Sequence, residues 1–228
     1  MKKILIFLIL LAVSPVHAQQ NRGIERDSTI TDTTRYARFV AEAGVRIPLG
    51  RMKEKYGTSA EFGAWWRTRV AYNDMLDLGF SLYIPQNPQE FTYTYRGEAL
   101  PTNAIGVSGM VGMRFCNVYV LGGKTSLEWV SSYGYAFFTY YDEYRDRHYT
   151  DPPVTPAEDE ENENTVDLFG ESYARALSTF HIGQGVRLHV GRVSFYAAYN
   201  FAPYGFFSNN VPDNFGSHSV SVCAQVRI

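Results

Sequence analysis

The chain has 228 residues, of which 45% are hydrophobic, 15% aromatic and 19% charged, and its mean hydropathy is −0.23. Its 21 Lys and Arg residues nearly balance its 23 Asp and Glu residues, so the charge does not indicate a polyanionic partner such as nucleic acid. The low mean hydropathy argues against a membrane protein built from helices. Two cysteines are too few for a disulfide scaffold or for a zinc site made of cysteines.

The N-terminus has the three-part pattern of a secretory signal peptide. Lys2 and Lys3 provide a positive start, an apolar run follows at 4–13, and Ala18 ends a small-residue cleavage site. The apolar run is too short for a transmembrane helix. We therefore predict a cleaved signal peptide at 1–18. Residues 19–37 are polar and aperiodic, which predicts a flexible periplasmic tail.

From Arg38 onward, apolar and polar residues alternate with a period of two, which predicts β-strands. The first strand places Phe39, Ala41 and Val45 on its apolar face and Glu42 on the other. The pattern recurs in seven further segments, at about 59–71, 76–84, 104–115, from 118, 174–190, 193–201 and 219–228. In each segment the second face is polar, glycine-rich and charged.

The lengths of the connections between these strands alternate. Short turns are predicted near 72–74, 116–117 and 191–192, and long loops at about 50–58, 86–102, 142–172 and 203–217. A soluble β-sandwich has no reason to sort its loops in this way, whereas outer-membrane barrels combine short periplasmic turns with long external loops. We therefore predict an all-β fold, an eight-stranded antiparallel up-and-down transmembrane β-barrel over 38–228, in the bacterial outer membrane.

The last strand carries a resemblance to a known family. Its sequence, from Val222 to Ile228, is similar to the C-terminal signal that the barrel-assembly machinery reads, although Ile228 stands where that family usually has Phe. Together with the alternation, it makes the chain resemble small outer-membrane barrels of the OmpA/OmpX type. The start at Gln19 and the tyrosine-rich strands also resemble barrels from Bacteroidetes. The resemblance implies outer-membrane lipid and lipopolysaccharide as surroundings, and the assembly machinery as a partner of the final strand.

The inward faces of the predicted strands carry many charges. An eight-stranded barrel has a lumen just wide enough for side chains, and an isolated buried charge is costly. We therefore predict a network of Arg–carboxylate pairs that plugs the lumen, in preference to a narrow ion path. The surplus of bases predicts that some reach water at the barrel ends, or contact lipid A phosphates or the acidic loop. The predicted lumen residues are Glu42, Arg46, Glu61, Arg67, Arg69, Asp77, Arg114, Lys124, Glu128, Arg187 and Arg227.

The two cysteines are predicted near the periplasmic ends of strands on opposite sides of the ring. A disulfide requires Cα atoms within about 7 Å, so free thiols are favoured for Cys116 and Cys223. A shift of two residues in the turn at 116–117 would keep a bridge possible.

The external loops contain aromatic and acidic residues. Exposed aromatic side chains on a rigid barrel are candidates for contact with a protein or a glycan. The candidates are Tyr93, Tyr95, Tyr204, Phe206, Phe207 and Phe215. The acidic loop at 150–171 offers carboxylates for a cation, but it lacks the spacing of a calcium-binding loop, so a solvated loop is favoured. No metal site and no cofactor are predicted.

The sequence shows no arrangement of nucleophile, base and orienting acid, so we predict that the protein is not an enzyme. The favoured function is a structural or interaction protein that acts through its external loops. The alternative is an accessory subunit of a larger outer-membrane complex for secretion, barrel assembly or nutrient uptake, with a partner at the loops or the N-terminal tail. A lipid A-modifying enzyme and a narrow ion pore are less favoured.

The orientation predicts where a protease can act. Protease added to intact cells is expected to cut within 142–172, because this loop faces outward; fragments are identified by mass spectrometry. Cleavage that occurs only after the outer membrane is broken would contradict the assigned orientation.

Overall fold

The computed structural model describes residues 39–55, 57–70, 73–86, 88–148, 174–208, 210–211 and 215–228. The predicted signal peptide, the predicted tail and most of the third external loop, including its acidic run, lie outside these ranges. Within these ranges there are ten strands: β1 (Phe39–Pro48), β2 (Ser59–Arg69), β3 (Asp74–Ile84), β4 (Phe91–Tyr95), β5 (Glu98–Thr102), β6 (Ser108–Gly122), β7 (Thr125–Tyr141), β8 (Ala174–Val190), β9 (Val193–Phe201) and β10 (His218–Arg227). The described parts of the loops contain three short helices: α1 (Met52–Lys55), α2 (Glu143–His148) and α3 (Tyr204–Phe207).

Eight of these strands form a closed antiparallel barrel in the order β1-β10-β9-β8-β7-β6-β3-β2, while β4 and β5 form a separate two-stranded sheet. The last strand closes the ring on the first, with Val40 opposite Arg227 and Pro48 opposite Ser219. The predicted eight-stranded up-and-down barrel is therefore confirmed. Closure leaves no free edge among the eight strands, so their backbone groups are paired around the ring.

The barrel has an apolar outside and a polar inside. Phe62, Val111 and Phe195 point outward and are 50%, 58% and 59% exposed, whereas Asp77 and Arg187 point inward and are 0% exposed. This arrangement is the reverse of a water-soluble fold and is typical of a barrel whose outer surface contacts lipid. Among the described residues, no helix has the length and apolar character needed to cross a membrane.

One predicted turn is wrong. The sequence pattern placed a turn at 116–117, but β6 continues through Cys116 to Gly122, with Asn117 opposite Trp129 on β7. The turn lies instead at 123–124, where Gly122 and Gly123 have φ angles of +134° and +56°. These angles favour glycine, which has no Cβ to clash. The alternation is interrupted near Cys116 although β6 does not end there. At this point β6 passes the neighbouring turn between β2 and β3 and continues.

The second external loop contains a hairpin that folds across the mouth of the barrel. Strands β4 and β5 are joined by Arg96 and Gly97, both with positive φ. The hairpin is held by backbone hydrogen bonds from the Thr94 amide to the Asn210 carbonyl (2.7 Å) and from the Gln89 amide to the Lys55 carbonyl (3.3 Å). Three external loops therefore meet at this end.

The strands differ in length around the ring. β7 and β8 have 17 residues each and pair throughout, from Thr125 opposite Val190 to Tyr141 opposite Ala174. By contrast, β9 has nine residues and β10 has ten. Because about 9–11 residues are enough to cross a membrane as a tilted strand, β7 and β8 form a wall that extends beyond the membrane on the external side.

Candidate functional site

The lumen is filled by side chains that carry opposite charges. Four arginines and four carboxylates point inward from six strands, and all eight residues are buried. Each of them forms at least one ion pair within the group at 3.0 Å or less. The eight residues are Arg46, Arg67, Arg114, Arg187, Glu42, Glu61, Asp77 and Glu128.

The largest cluster joins strands β2, β3, β7 and β8. Arg67 binds Asp77 through Nε (2.7 Å) and Glu128 through Nη2 (2.7 Å). Arg187 binds the same two carboxylates through Nη1, at 3.0 and 2.8 Å. Arg227 reaches Glu128 from β10 with an Nη2–Oε1 distance of 3.5 Å. Each carboxylate thus lies between two guanidinium groups, which offsets the cost of removing these charges from water.

A second cluster connects the first strand, the last strand and β6. Arg114 donates two hydrogen bonds to Glu42 (2.7 and 2.9 Å), and the Gln225 amide donates a third (2.7 Å). The Arg114 guanidinium also lies over the Trp65 ring, 3.6 Å from its centroid. Gly63 makes this geometry possible, because a Cβ at that position would lie 2.3 Å from Oε1 of Glu42.

A third pair lies closest to the external cap. Arg46 binds Glu61 (2.7 Å), which also accepts a hydrogen bond from the Ser81 hydroxyl (2.5 Å). The Arg46 guanidinium lies 4.3 Å from the centroid of the Tyr83 ring. The Tyr83 hydroxyl in turn contacts that of Tyr204 at 2.8 Å. Polar contacts therefore continue from the lumen into the external loops.

Two predicted lumen residues lie elsewhere. Lys124 is exposed in the turn at 123–124, and Arg69 is exposed at the end of β2. The alternating sequence pattern does not stop where the lumen stops. It therefore assigned inward positions to Arg69 and Lys124, although neither residue lies inside the lumen. Arg227 is half-buried at the periplasmic end. Without Arg69 and Lys124, the predicted surplus of inward bases shrinks to one: four buried arginines face four carboxylates, and Arg227 adds a fifth guanidinium at the periplasmic end.

Both cysteines are free and buried. Cys116 lies beside the central cluster, with its Sγ 3.5 Å from Asp77 Oδ2 and 3.6 Å from Arg187 Nη1. The alternative of a Cys116–Cys223 bridge, which the sequence left open, is therefore not adopted.

The external end of the lumen is closed by an aromatic cap. Its rings come from β4, β7, α3 and the loop before β10, and they pack with centroid distances of 5.1–6.4 Å. These rings are Phe91, Tyr93, Phe138, Tyr140, Tyr204 and Phe215. The Tyr93 hydroxyl donates to Asp142 (3.1 Å) and accepts from the Tyr144 amide (2.7 Å). Burial raises the pKa of the Tyr93 hydroxyl, so it remains a donor at neutral pH.

The cap corrects the prediction of exposed loop aromatics. Tyr93, Tyr204 and Phe215 are buried, because the wide external mouth of the barrel is filled by its own loops. Tyr95 is half-buried beneath the guanidinium of Arg175, which lies 3.7 Å from its ring centroid. Phe206 remains 40% exposed. The side chain of Phe207 lies outside the described part of the chain.

A serine–histidine–glutamate relay is present that the sequence analysis missed. The Ser194 hydroxyl contacts His189 Nδ1, and His189 Nε2 lies 2.5 Å from Oε1 of Glu128. The two residues flank the tight turn at 191–192, and such pairs across a hairpin turn are the signal that could have revealed it. However, Ser194 is fully buried and Glu128 already binds two arginines. The relay therefore contains the residue types of a catalytic triad, but its serine contacts Nδ1 and its carboxylate lies near Nε2, the reverse of a triad, and its nucleophile is not accessible.

Within the described ranges, no group of three or more His, Cys, Asp or Glu side chains is arranged to hold a metal ion. A cleft of ≈ 360 Å³ lies at the external rim, between the end of β1, helix α1 and the loop after β3. Its lining includes Ile47, Lys53, Gln86 and Gln89.

The closed strand order, the apolar exterior and the charged interior define an eight-stranded transmembrane barrel of the bacterial outer membrane. No protein-family model matches the chain, and no curated protein matches its sequence. The chain is similar to the solved structure of Neisserial surface protein A, with a TM-score of 0.44, 9% identity, and coverage of 83% of this chain and 96% of that one. It is also similar to Ail, the attachment invasion locus protein of Yersinia pestis, solved with the heparin analogue sucrose octasulfate, with a TM-score of 0.37, 9% identity, and coverage of 82% and 93%. The resemblance to barrels from Bacteroidetes stays a prediction.

The buried pairs predict a non-additive effect on stability. Arg114→Met is expected to destabilise the barrel by about 3–5 kcal/mol, because it leaves the Glu42 carboxylate buried without its guanidinium. Glu42→Gln combined with Arg114→Met is expected to cost clearly less than Arg114→Met alone. The measurement is the urea midpoint of unfolding in lipid vesicles, followed by tryptophan fluorescence.

A matched control is Arg147→Met, which breaks the exposed Arg147–Glu143 pair on α2. Its effect should stay below about 0.5 kcal/mol, as is usual for surface ion pairs. Equal losses in Arg114→Met and in the double variant would contradict a coupled buried pair.

Proposed function

We propose that the protein is a non-enzymatic, non-conducting outer-membrane barrel whose external face serves as an interaction surface. The observation that supports this proposal is the filled lumen: ion pairs occupy the transmembrane part, and packed rings close the external end. A solute would have to break several ion pairs at once to pass. A filled lumen leaves no site for a solute inside the barrel, and this favours contact with a partner at the external face.

The tip of the β4–β5 hairpin is the contact site that the geometry favours. Tyr95 packs edge-on against Tyr144 at 5.0 Å, and the Arg96 guanidinium lies 5.6 Å and 5.7 Å from the two ring centroids. Aromatic rings combined with arginine are common at the centre of protein interfaces. Phe206 adds an exposed ring from α3. A protein or a glycan at this tip is our proposal for the external partner.

Lipopolysaccharide is a proposed partner at the external rim. The cleft beside α1 combines lipid-facing Ile47 with the amides of Gln86 and Gln89 and the ammonium of Lys53. Arg51 is exposed next to it. An amphiphile with a phosphorylated sugar head has apolar, polar and anionic parts. The cleft and its border offer apolar, polar and cationic groups that match them. The barrel-assembly machinery remains the proposed partner of β10 during insertion.

The alternative function, an accessory subunit of a larger outer-membrane complex, is distinguished by purification. Mild-detergent extraction from the native envelope, followed by mass spectrometry, would yield stoichiometric foreign subunits if the alternative holds. A preparation that contains this chain alone would exclude a stable complex.

Planar-bilayer recording tests the filled lumen. The protein is expected to give no resolvable conductance steps. A variant in which a short Gly-Ser linker replaces residues 85–107 removes the β4–β5 hairpin but leaves the ion-pair network, and it should also stay closed. Steps in the parent protein would contradict the proposal, and steps in the linker variant alone would show that the cap is the barrier.

A serine-reactive fluorophosphonate probe tests the buried relay. The folded protein in detergent micelles is expected not to be labelled, because the Ser194 hydroxyl is fully buried and Glu128 is held by arginines. Ser194→Ala provides the background signal. Labelling of the parent above that of Ser194→Ala would favour an enzymatic function.

A further inference from the structure

The outer surface of the barrel carries a polar pair within its apolar band. Ser131 on β7 and Gln184 on β8 lie directly opposite each other in the register. The Ser131 hydroxyl donates a hydrogen bond to Oε1 of Gln184 at 3.0 Å. Both side chains point outward, since their neighbours Ser132 and Gly183 point into the lumen. On the same face lie the exposed side chains of Trp129 and Val186.

This pair lies at the depth of the lipid chains. Gln184 is six residues from the end of β8 at Val190, which begins the periplasmic turn. A strand that rises about 3.3 Å per residue and tilts by about 40° places Gln184 about 15 Å above that end. The apolar band of such barrels is about 25 Å tall. The pair is therefore surrounded by hydrocarbon wherever lipid covers β7 and β8.

The pair is only partly satisfied. The hydroxyl proton of Ser131 occupies one acceptor position on the side-chain oxygen of Gln184. The two N–H donors of the Gln184 amide have no partner among the described residues. Lipid chains offer no acceptor, and polar groups inside a membrane are expensive unless they are paired. An acceptor at the same depth would satisfy these donors.

We propose that this face binds a second copy of the chain, with Gln184 and Ser131 at the centre of a two-fold interface. Two copies inserted in the same direction are related by a two-fold axis along the membrane normal. Each residue therefore lies at the same depth as its equivalent in the other copy. An amide is both donor and acceptor, so two Gln184 side chains complement each other across such an axis. Ser131 of each copy supplies a further acceptor.

The surrounding surface suits this pairing. The β7–β8 wall is the tallest part of the barrel, and its outward rings continue with Tyr135, which is 56% exposed, toward the upper border of the apolar band. Small Ala197 on β9 lies diagonally beside Gln184, opposite Val186. A tall wall with a polar centre and apolar surroundings has the organisation of an interface within a membrane.

Disulfide trapping in native membranes tests the proposal. The variant Gln184→Cys is oxidised with copper–phenanthroline, which joins two thiols into one disulfide with oxygen as the acceptor of the electrons. A band at twice the barrel mass is expected. The matched control is Ala64→Cys, which is also lipid-facing but lies on β2, across the ring from β8. The control and the parent, whose cysteines face the lumen, should remain monomeric.

A second reporter separates the contact from the substitution itself. Ala197→Cys, with Gln184 intact, should also give the double-mass band, and adding Gln184→Leu with Ser131→Ala should reduce that band several-fold. Heat-modifiable migration in gels verifies that each barrel is folded. Equal trapping at positions 64 and 197, no trapping at either, or a crosslinked band of another mass would overturn the second copy as the occupant.

Discussion

The buried ion pairs between arginine and carboxylate are the interaction on which the rest of the barrel depends. They join strands that are far apart in sequence: Arg67 on β2 and Arg187 on β8 bind the same two carboxylates, which belong to β3 and β7. Lipid can cover the apolar exterior of many strand arrangements, but only one register brings these charges together. The network therefore specifies the register and also occupies the space that a solute would need.

The cap and the network divide the lumen between two kinds of packing. Near the periplasm, charges compensate each other at distances of 2.7–3.0 Å; near the external surface, rings from two loops pack against β7. Tyr83 belongs to both regions, since it lies under Arg46 and contacts Tyr204. The surfaces outside these two regions are the outer rim of the loops and the lipid-facing wall, and these are the surfaces for which we propose partners.

The sequence predicted the inward residues well and the loops poorly, for physical reasons. In a β-strand, alternate residues point to opposite faces. The period of two in the sequence was therefore enough to assign Glu42, Asp77 and Arg187 to the inward face. It carries no information about where a strand ends, which explains the errors at Arg69 and Lys124. The burial of Tyr93 depends on the shape of the mouth that several loops share, and a local pattern does not record that shape.

The last strand contributes polar contacts to the lumen as well as closing the barrel. Gln225 and Arg227 reach Glu42 and Glu128, which belong to the first strand and to β7. A chain that lacks β10 would therefore hold acidic groups with part of their compensation missing, as well as an unpaired edge on β1. β10 thus adds a neutral amide donor to Glu42 and a further guanidinium near Glu128, beside the ion pairs that the other strands already form. Loss of β10 would therefore alter the polar interior of the barrel as well as open its sheet, which couples the pairing of the first and last strands to the packing of the lumen.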